Sequence, residues 1–281
     1  MASLIFGLVA ALAWGLHDFF VRDVSQRAPA GPLLFVVLLA GSVMLAPLTL
    51  LAGDWSRMSP ATTATAFAAG FAYTAGSVGL YRAFSIGPVR LVAPICGAYP
   101  VLSVGWAALS GQPIGAAHWL AVLAVIGGIA LVARQSGDTA APDRPLAAIG
   151  WSLLAAAGFA LTFALGQLAA RSGSELPATL VTRLGALAVV GAWLLATRRT
   201  LAPARPFLPV LALMGLLDVA ALGFVLAAGG LPHPEFAAVT SSIFGMVTIL
   251  LAWRFLGEGM RPVQWTGVGV VFTGIAYLAA T

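Results

Sequence analysis

Two charged side chains fall where apolar residues are expected. Asp218 lies in Leu216-Leu217-Asp218-Val219-Ala220, and Arg183 lies in Val181-Thr182-Arg183-Leu184, each inside a long apolar run. A charge within hydrocarbon costs at least about 2–3 kcal/mol on insertion scales, so such groups face a cavity or a partner. The planar fork of Arg183 suits a carboxylate. Asp218 suits an ammonium group or a coupling proton. A solute with both charges would engage both residues. The alternative is a permanent salt bridge between neighbouring helices.

A third charged place is His17-Asp18, in the outer third of the first apolar run. Asp18, Trp14, Ala11 and Gly7 share one helix face at spacings of three and four. That face is small, aromatic and acidic, as a cavity wall would be. Otherwise Asp18 is capped by Arg22, four residues on, and Trp14 only packs. His17 points to another face. It either titrates near neutral pH or hydrogen-bonds at the membrane interface. Tyr73, Ser77 and Tyr81 recur every four residues and form a polar stripe on one helix. They line a cavity or hydrogen-bond to a neighbouring helix. Tyr99 with Pro100, and Ser241-Ser242 with Gly245, occupy equivalent parts of two further runs. Pro94 and Pro100 each remove a backbone donor and can kink their helix, which frees carbonyls at cavity depth.

What positions these groups is a set of membrane spans. The chain has 281 residues, 60% of them hydrophobic and 8% charged. Soluble domains carry about 25% charged residues, so lipid must be the solvent for much of this surface. A span needs about 20 apolar residues. Apolar runs fall near 3–22, 32–53, 61–84, 89–110, 115–134, 146–170, 176–197, 207–230, 235–256 and 262–280. They are continuous, without a period of two, and therefore helical. The breaks carry ordinary stop residues, such as Gly87-Pro88 and Pro232-His233-Pro234. The first run lacks a basic segment before it and a small-residue cleavage site, so it reads as a retained helix.

The two halves of the chain align. Gly7 with Leu12-Ala13-Trp14-Gly15 matches Gly150 with Ala155-Ala156-Ala157-Gly158. Ser110-Gly111-Gln112 matches Leu256-Gly257-Glu258, and Gly128-Ile129-Ala130 matches Gly274-Ile275-Ala276. In this alignment Asp218 falls close to the position of Tyr73. The polar connection from Gln135 to Pro145 lies where two copies would join. The expected units are 1–137 and 144–281, each with five helices. A unit with an odd number of spans places its second copy upside down, the architecture of many secondary transporters.

Positive charge gives a direction. The chain has no lysine. Arg22, Arg27, Arg82, Arg90, Arg134, Arg144, Arg198, Arg199, Arg205, Arg254 and Arg261 follow odd-numbered helices, whereas Arg57 and Arg171 follow even-numbered ones. Positive loops stay in the cytoplasm, which places both termini outside. Scattered arginines do not form the basic stripe of a nucleic-acid interface. The single cysteine, Cys96, excludes an internal disulfide and offers no metal cluster. Gly267-x-Gly269 sits inside a span with no preceding strand, so it is not a dinucleotide fingerprint. The glycines near 127–128, 158–166 and 267–274 suit close helix packing. There is no H-E-x-x-H, no G-x-S-x-G and no phosphate-binding loop.

Trp14-Gly15, Leu80-Tyr81-Arg82-Ala83-Phe84-Ser85-Ile86-Gly87-Pro88, Val92-Ala93-Pro94-Ile95 and Pro100-Val101-Leu102 carry a resemblance. So do Phe255-Leu256-Gly257-Glu258, Trp265-Thr266-Gly267 and Thr273-Gly274-Ile275-Ala276. Together they resemble the EamA-type transporters of the drug/metabolite transporter superfamily. The resemblance covers nearly the whole chain, once per half. It implies ten helices in two inverted five-helix repeats, a central cavity, and export of small metabolites such as amino acids from a bacterial inner membrane. Gln112 departs from it, because an acidic residue is expected after Gly111. Cytoplasmic termini, which the resemblance also implies, oppose the arginine distribution. The expectation is an all-α integral membrane protein that acts as a secondary transporter. Its substrate-binding residues would be Trp14, Asp18, Tyr73, Ser77, Tyr81, Tyr99, Arg183, Asp218, Ser241 and Ser242. No catalytic residue, metal or cofactor is expected. The expected partners are a small-molecule solute, the bilayer and a second copy in a homodimer, with no nucleic acid. An organic-cation exporter and an intramembrane lipid-modifying enzyme are the alternatives.

Overall fold

The fold is known from a computed structural model that describes residues 2–109, 111, 113–134, 144–228, 240–241 and 243–280. Ser110, Gln112, the connection 135–143, residues 229–239 and Ser242 lie outside the described residues. The helices are α1 (Ala2–Ser25), α2 (Ala30–Ala52), α3 (Pro60–Ile86), α4 (Val89–Gly97), α5 (Tyr99–Leu109), α6 (Ala116–Arg134), α7 (Pro145–Ser172), α8 (Glu175–Ala196), α9 (Leu208–Ala228), α10 (Phe244–Phe255) and α11 (Pro262–Ala280). No strand occurs among the described residues.

Among the described residues, five segments are long and apolar enough to cross a bilayer: Ala2–Ser25, Ala30–Ala52, Pro145–Ser172, Glu175–Ala196 and Ala202–Val225. At 1.5 Å per residue, a 24-residue helix such as α1 reaches about 36 Å, enough for hydrocarbon and some tilt. Residues such as Leu12, Val43, Leu123 and Leu153 point outward. In water this would be an aggregating surface; in lipid it is the solvated one. The 27-residue α3 is longer than most but less apolar, with Thr74, Ser77 and Tyr81 buried along it. It can carry them because α7 and α8 pack along its sides.

Local chemistry sets the ends. Ser59 caps α3 by accepting from the Thr62 backbone N–H at 3.1 Å, and Pro60 supplies the first helical residue. Gly87-Pro88 then ends it. The fourth apolar run is not one kinked helix but two short ones. Pro100 cannot donate to the Cys96 carbonyl, so the ladder stops at Ala98 and resumes as α5. Gly111 and Gly257, matched in the sequence alignment, share a left-handed backbone with φ of 78° and 67°.

The packing repeats as the sequence does. Exchanging α1 for α7, α2 for α8, α3 for α9, α5 for α10 and α6 for α11 maps the most extensive helix pairings onto each other. Thus α3 lies on α7 and α8, while α9 lies on α1 and α2. Likewise α5 touches α7 and α10 touches α1. The pairs α2–α8 and α6–α11 map onto themselves. Atoms follow the same rule. A methyl added at Gly128 would lie 2.7 Å from Val271 Cγ2 and 2.9 Å from the Gly267 carbonyl oxygen. One added at Gly274 would lie 2.7 Å from Val125 Cγ2 and 3.1 Å from the Ala121 carbonyl oxygen. These are the same residue pairs displaced by one constant spacing, as a two-fold relation between repeats requires. One continuous apolar core, from Val21 through Phe84 to Phe272, runs through both halves.

Candidate functional site

Asp218, on α9, is one place where the two halves meet in polar contact. Its Oδ1 accepts the indole N–H of Trp14 on α1 at 3.0 Å. Its Oδ2 accepts the Tyr73 hydroxyl, on α3, at 3.3 Å, and is ion-paired with the Arg183 guanidinium, on α8. Two of these helices come from each repeat. Arg183 is 5% exposed and Asp218 8%, so the pair is removed from bulk water. A buried ion pair of this kind needs its remaining hydrogen-bond positions filled. Those of Asp218 are. Those of Arg183 are not: Nε and Nη1 are buried without a partner among the described residues. Nη1 presses against α2, 2.7 Å from where a Cβ on Gly41 would sit. Only a glycine leaves room there for the guanidinium.

His17 Nδ1 lies 3.0 Å from Asp18 Oδ1, and both residues are buried. His17 therefore faces inward although spacing put it on another helix face, and of the two readings of Asp18 the Arg22 cap falls, because His17 is its partner. Adjacent helical residues point about 100° apart, but an imidazole is long enough to reach back to a neighbouring carboxylate. Ser77 interacts with the Tyr73 hydroxyl one turn away, and the Tyr81 hydroxyl is buried without a partner among the described residues. Two edge-to-face aromatic pairs flank the centre: Trp14 with Phe244 and Tyr73 with Phe159, both at 6.2 Å.

Tyr99 packs against Phe163 with ring centres 5.0 Å apart. Ser241 is buried; its neighbour Ser242 is outside the described residues. The Cys96 thiol donates to the Ser152 carbonyl at 3.8 Å, as a small buried residue. No three-residue group of metal-ligating type occurs among the described residues.

One network had gone unread in the sequence. Arg22, at the end of α1, binds Glu258 from the α10–α11 connection at 3.0 Å. The second oxygen of Glu258 accepts the Val89 N–H, the first of α4, at 2.7 Å. A carboxylate at a helix start meets both a free donor and the positive end of the dipole. Arg22 also reaches the Phe84 carbonyl, which Gln26 shares at 2.8 Å, and Arg90 reaches the Gly259 carbonyl at 3.3 Å. Four elements of both halves are thereby tied at the end that holds most arginines. Arg22 is therefore not the partner of Asp18, and Asp23 pairs with Arg27. The available signal was Glu258 following Gly257, where its counterpart after Gly111 is the neutral Gln112.

Comparison with known proteins follows the same division. The model of the EamA-like transporter family matches residues 1–134 and again 146–280. A solved crystal structure shares the fold with a TM-score of 0.65, at 14% sequence identity, over 99% of this chain and 96% of the other. No curated protein matches.

Proposed function

The chain belongs to the EamA-like transporter family of the drug/metabolite transporter superfamily, and on that premise we propose how it works. It is a secondary transporter that carries small metabolites, amino acids or related solutes, outward across a bacterial inner membrane by alternating access. The observation that carries this reading is Asp218, a buried carboxylate held at once by groups from α1, α3 and α8. Its three partners come from both repeats, and they stand beside an arginine with two donor atoms that have no partner among the described residues. An arriving carboxylate would find those donors, and an arriving ammonium would compete with Arg183 for Asp218. Binding would thus exchange the contacts that hold the halves together. Opening would then require release of the Arg22–Glu258–Val89 network at the arginine-rich end.

An organic-cation exporter is a second reading, favoured by the aromatic pairs beside the carboxylates. The test is flux. The protein is reconstituted in liposomes and offered labelled amino acids, choline and tetraethylammonium. Unmodified solute crossing in proportion to protein supports transport, and the preferred probe decides between the readings. Chemical conversion of the probe would instead point to an enzyme, and no crossing by any probe would end the transport reading.

A further inference from the structure

We infer that the His17–Asp18 pair is a proton-binding site separate from the Asp218 site, and that its proton exchanges for a monocationic solute. This rests on the transporter reading above and names the coupling of that same cluster.

The inference begins with charge. The buried cluster holds two carboxylates, Asp18 and Asp218, and one fixed cation, Arg183. With His17 neutral it carries one uncompensated negative charge. An isolated buried charge is strongly disfavoured, and sites of this kind take up a proton instead. The question is which group receives it. Asp218 is unsuited: both its oxygens accept hydrogen bonds, from Trp14, Tyr73 and Arg183. Protonating it would weaken all three and leave Arg183 unpaired. Asp18 has one hydrogen-bond partner among the described residues, the His17 imidazole. The added proton therefore belongs to the pair, which titrates as a unit whichever atom carries it.

The surroundings contain no better candidate. On α9 the group facing the pair is Asp218, and on α8 it is Arg183. On α3 and α4 they are Tyr81 and Cys96, which sense Asp18 and are weak acids. No titratable residue occurs on α2. The one on α10 is Arg254, in the last turn and over the Phe255 ring. Facing α1 from α10 is Thr248, whose hydroxyl donates to the Gly15 carbonyl at 3.2 Å.

A monocation entering the cluster supplies the same single positive charge as the proton. Each then makes the other unnecessary. The proton leaves the imidazole–carboxylate pair for water on whichever side is open, and returns when the cation departs. A zwitterion brings no net charge and leaves the proton in place.

The experiment uses the full protein in phosphatidylethanolamine–phosphatidylglycerol vesicles, with choline as the cationic probe and threonine as the zwitterion. Equilibrium exchange of labelled choline at equal pH reads carriage alone. A pH gradient of one unit then reads coupling. The expected result for the wild type is choline accumulation approaching about ten-fold, the limit for one-for-one exchange, with no such response for threonine. His17→Gln leaves Asp18 alone to hold the proton, so it is expected to keep equilibrium exchange and to move the pH at which accumulation is half-maximal. As a measurement that needs no variant, choline added to the detergent-solubilised wild type in weak buffer should release about one proton per chain. Choline exchange that ignores the gradient, a pH dependence that His17→Gln leaves unmoved, or no proton release would overturn the proton site and leave transport standing. Absence of exchange by either probe would overturn both.

Discussion

At the scale of single residues, the account turns on the difference between breaking a buried ion pair and removing it. Asp218→Asn leaves Arg183 as an unpaired buried cation, which costs about 3–5 kcal/mol. The double variant Asp218→Asn with Arg183→Gln leaves no orphan charge. The thermal midpoint in detergent should therefore fall for the single variant and largely recover for the double, while solute flux is lost in both. Recovery of flux together with stability would reduce the pair to a structural salt bridge. Gly41→Ala tests the same guanidinium from behind. Its methyl would stand 2.7 Å from Arg183 Nη1, the free end of a flexible side chain. The fold should hold while Arg183 shifts and flux falls about ten-fold, a change of about 1.4 kcal/mol in the transport step. Much of this centre is legible in sequence, because Trp14, Tyr73, Arg183 and Asp218 are polar groups in apolar runs, and such groups need partners. What is not legible is who partners whom. Spacing put His17 and Asp18 on different faces, yet the side chains meet. Nothing in the pattern marked Gly41 as the residue that admits Arg183, since glycine is abundant throughout these helices.

At the scale of elements, the end of the molecule that carries Arg22, Phe84, Val89 and Glu258 is held by charge-assisted hydrogen bonds. Bonds of this kind contribute about 1.5–3 kcal/mol each. Glu258→Gln keeps the shape and removes the charge, and it gives the second repeat the residue type that the first has at Gln112. The expected outcome is faster entry of a water-soluble thiol reagent toward α3 from the arginine-rich end, read with a cysteine at Ser77 in a Cys96→Ser background. An unchanged rate would show that this network does not hold the end closed. The elements themselves were largely readable, as continuous apolar runs bounded by glycine and proline. The interruption at Ala98 was not, because each proline names the carbonyl that loses its donor but not whether the helix tolerates the loss, as α4 does at Pro94, or stops. The role of Glu258 was hidden for a different reason. Its partners are 236 residues away at Arg22 and 169 away at Val89, and only the fold brings such positions together.

At the scale of the whole molecule, two repeats of one fold pack so that contacts and close glycine approaches recur at a constant spacing. The odd number of runs in each half made an inverted pair predictable, and the polar connection near residue 140 marked the joint. Which way the molecule faces is a separate matter, decided by the arginines. If positive loops are cytoplasmic, a cysteine at the exposed Arg82 should be labelled from the cytoplasmic side alone. Labelling from outside alone would place the termini in the cytoplasm. The account's central claim is that the buried cluster lies on a route that opens to each side in turn. Ser77, 3% exposed and one turn from Tyr73, is the position to ask. With Cys96→Ser and Ser77→Cys, a membrane-impermeant thiol reagent is applied separately to right-side-out and inside-out vesicles. Labelling from both faces, slowed from each by transported solute, is the predicted result. Labelling from one face alone, or from neither, would contradict it.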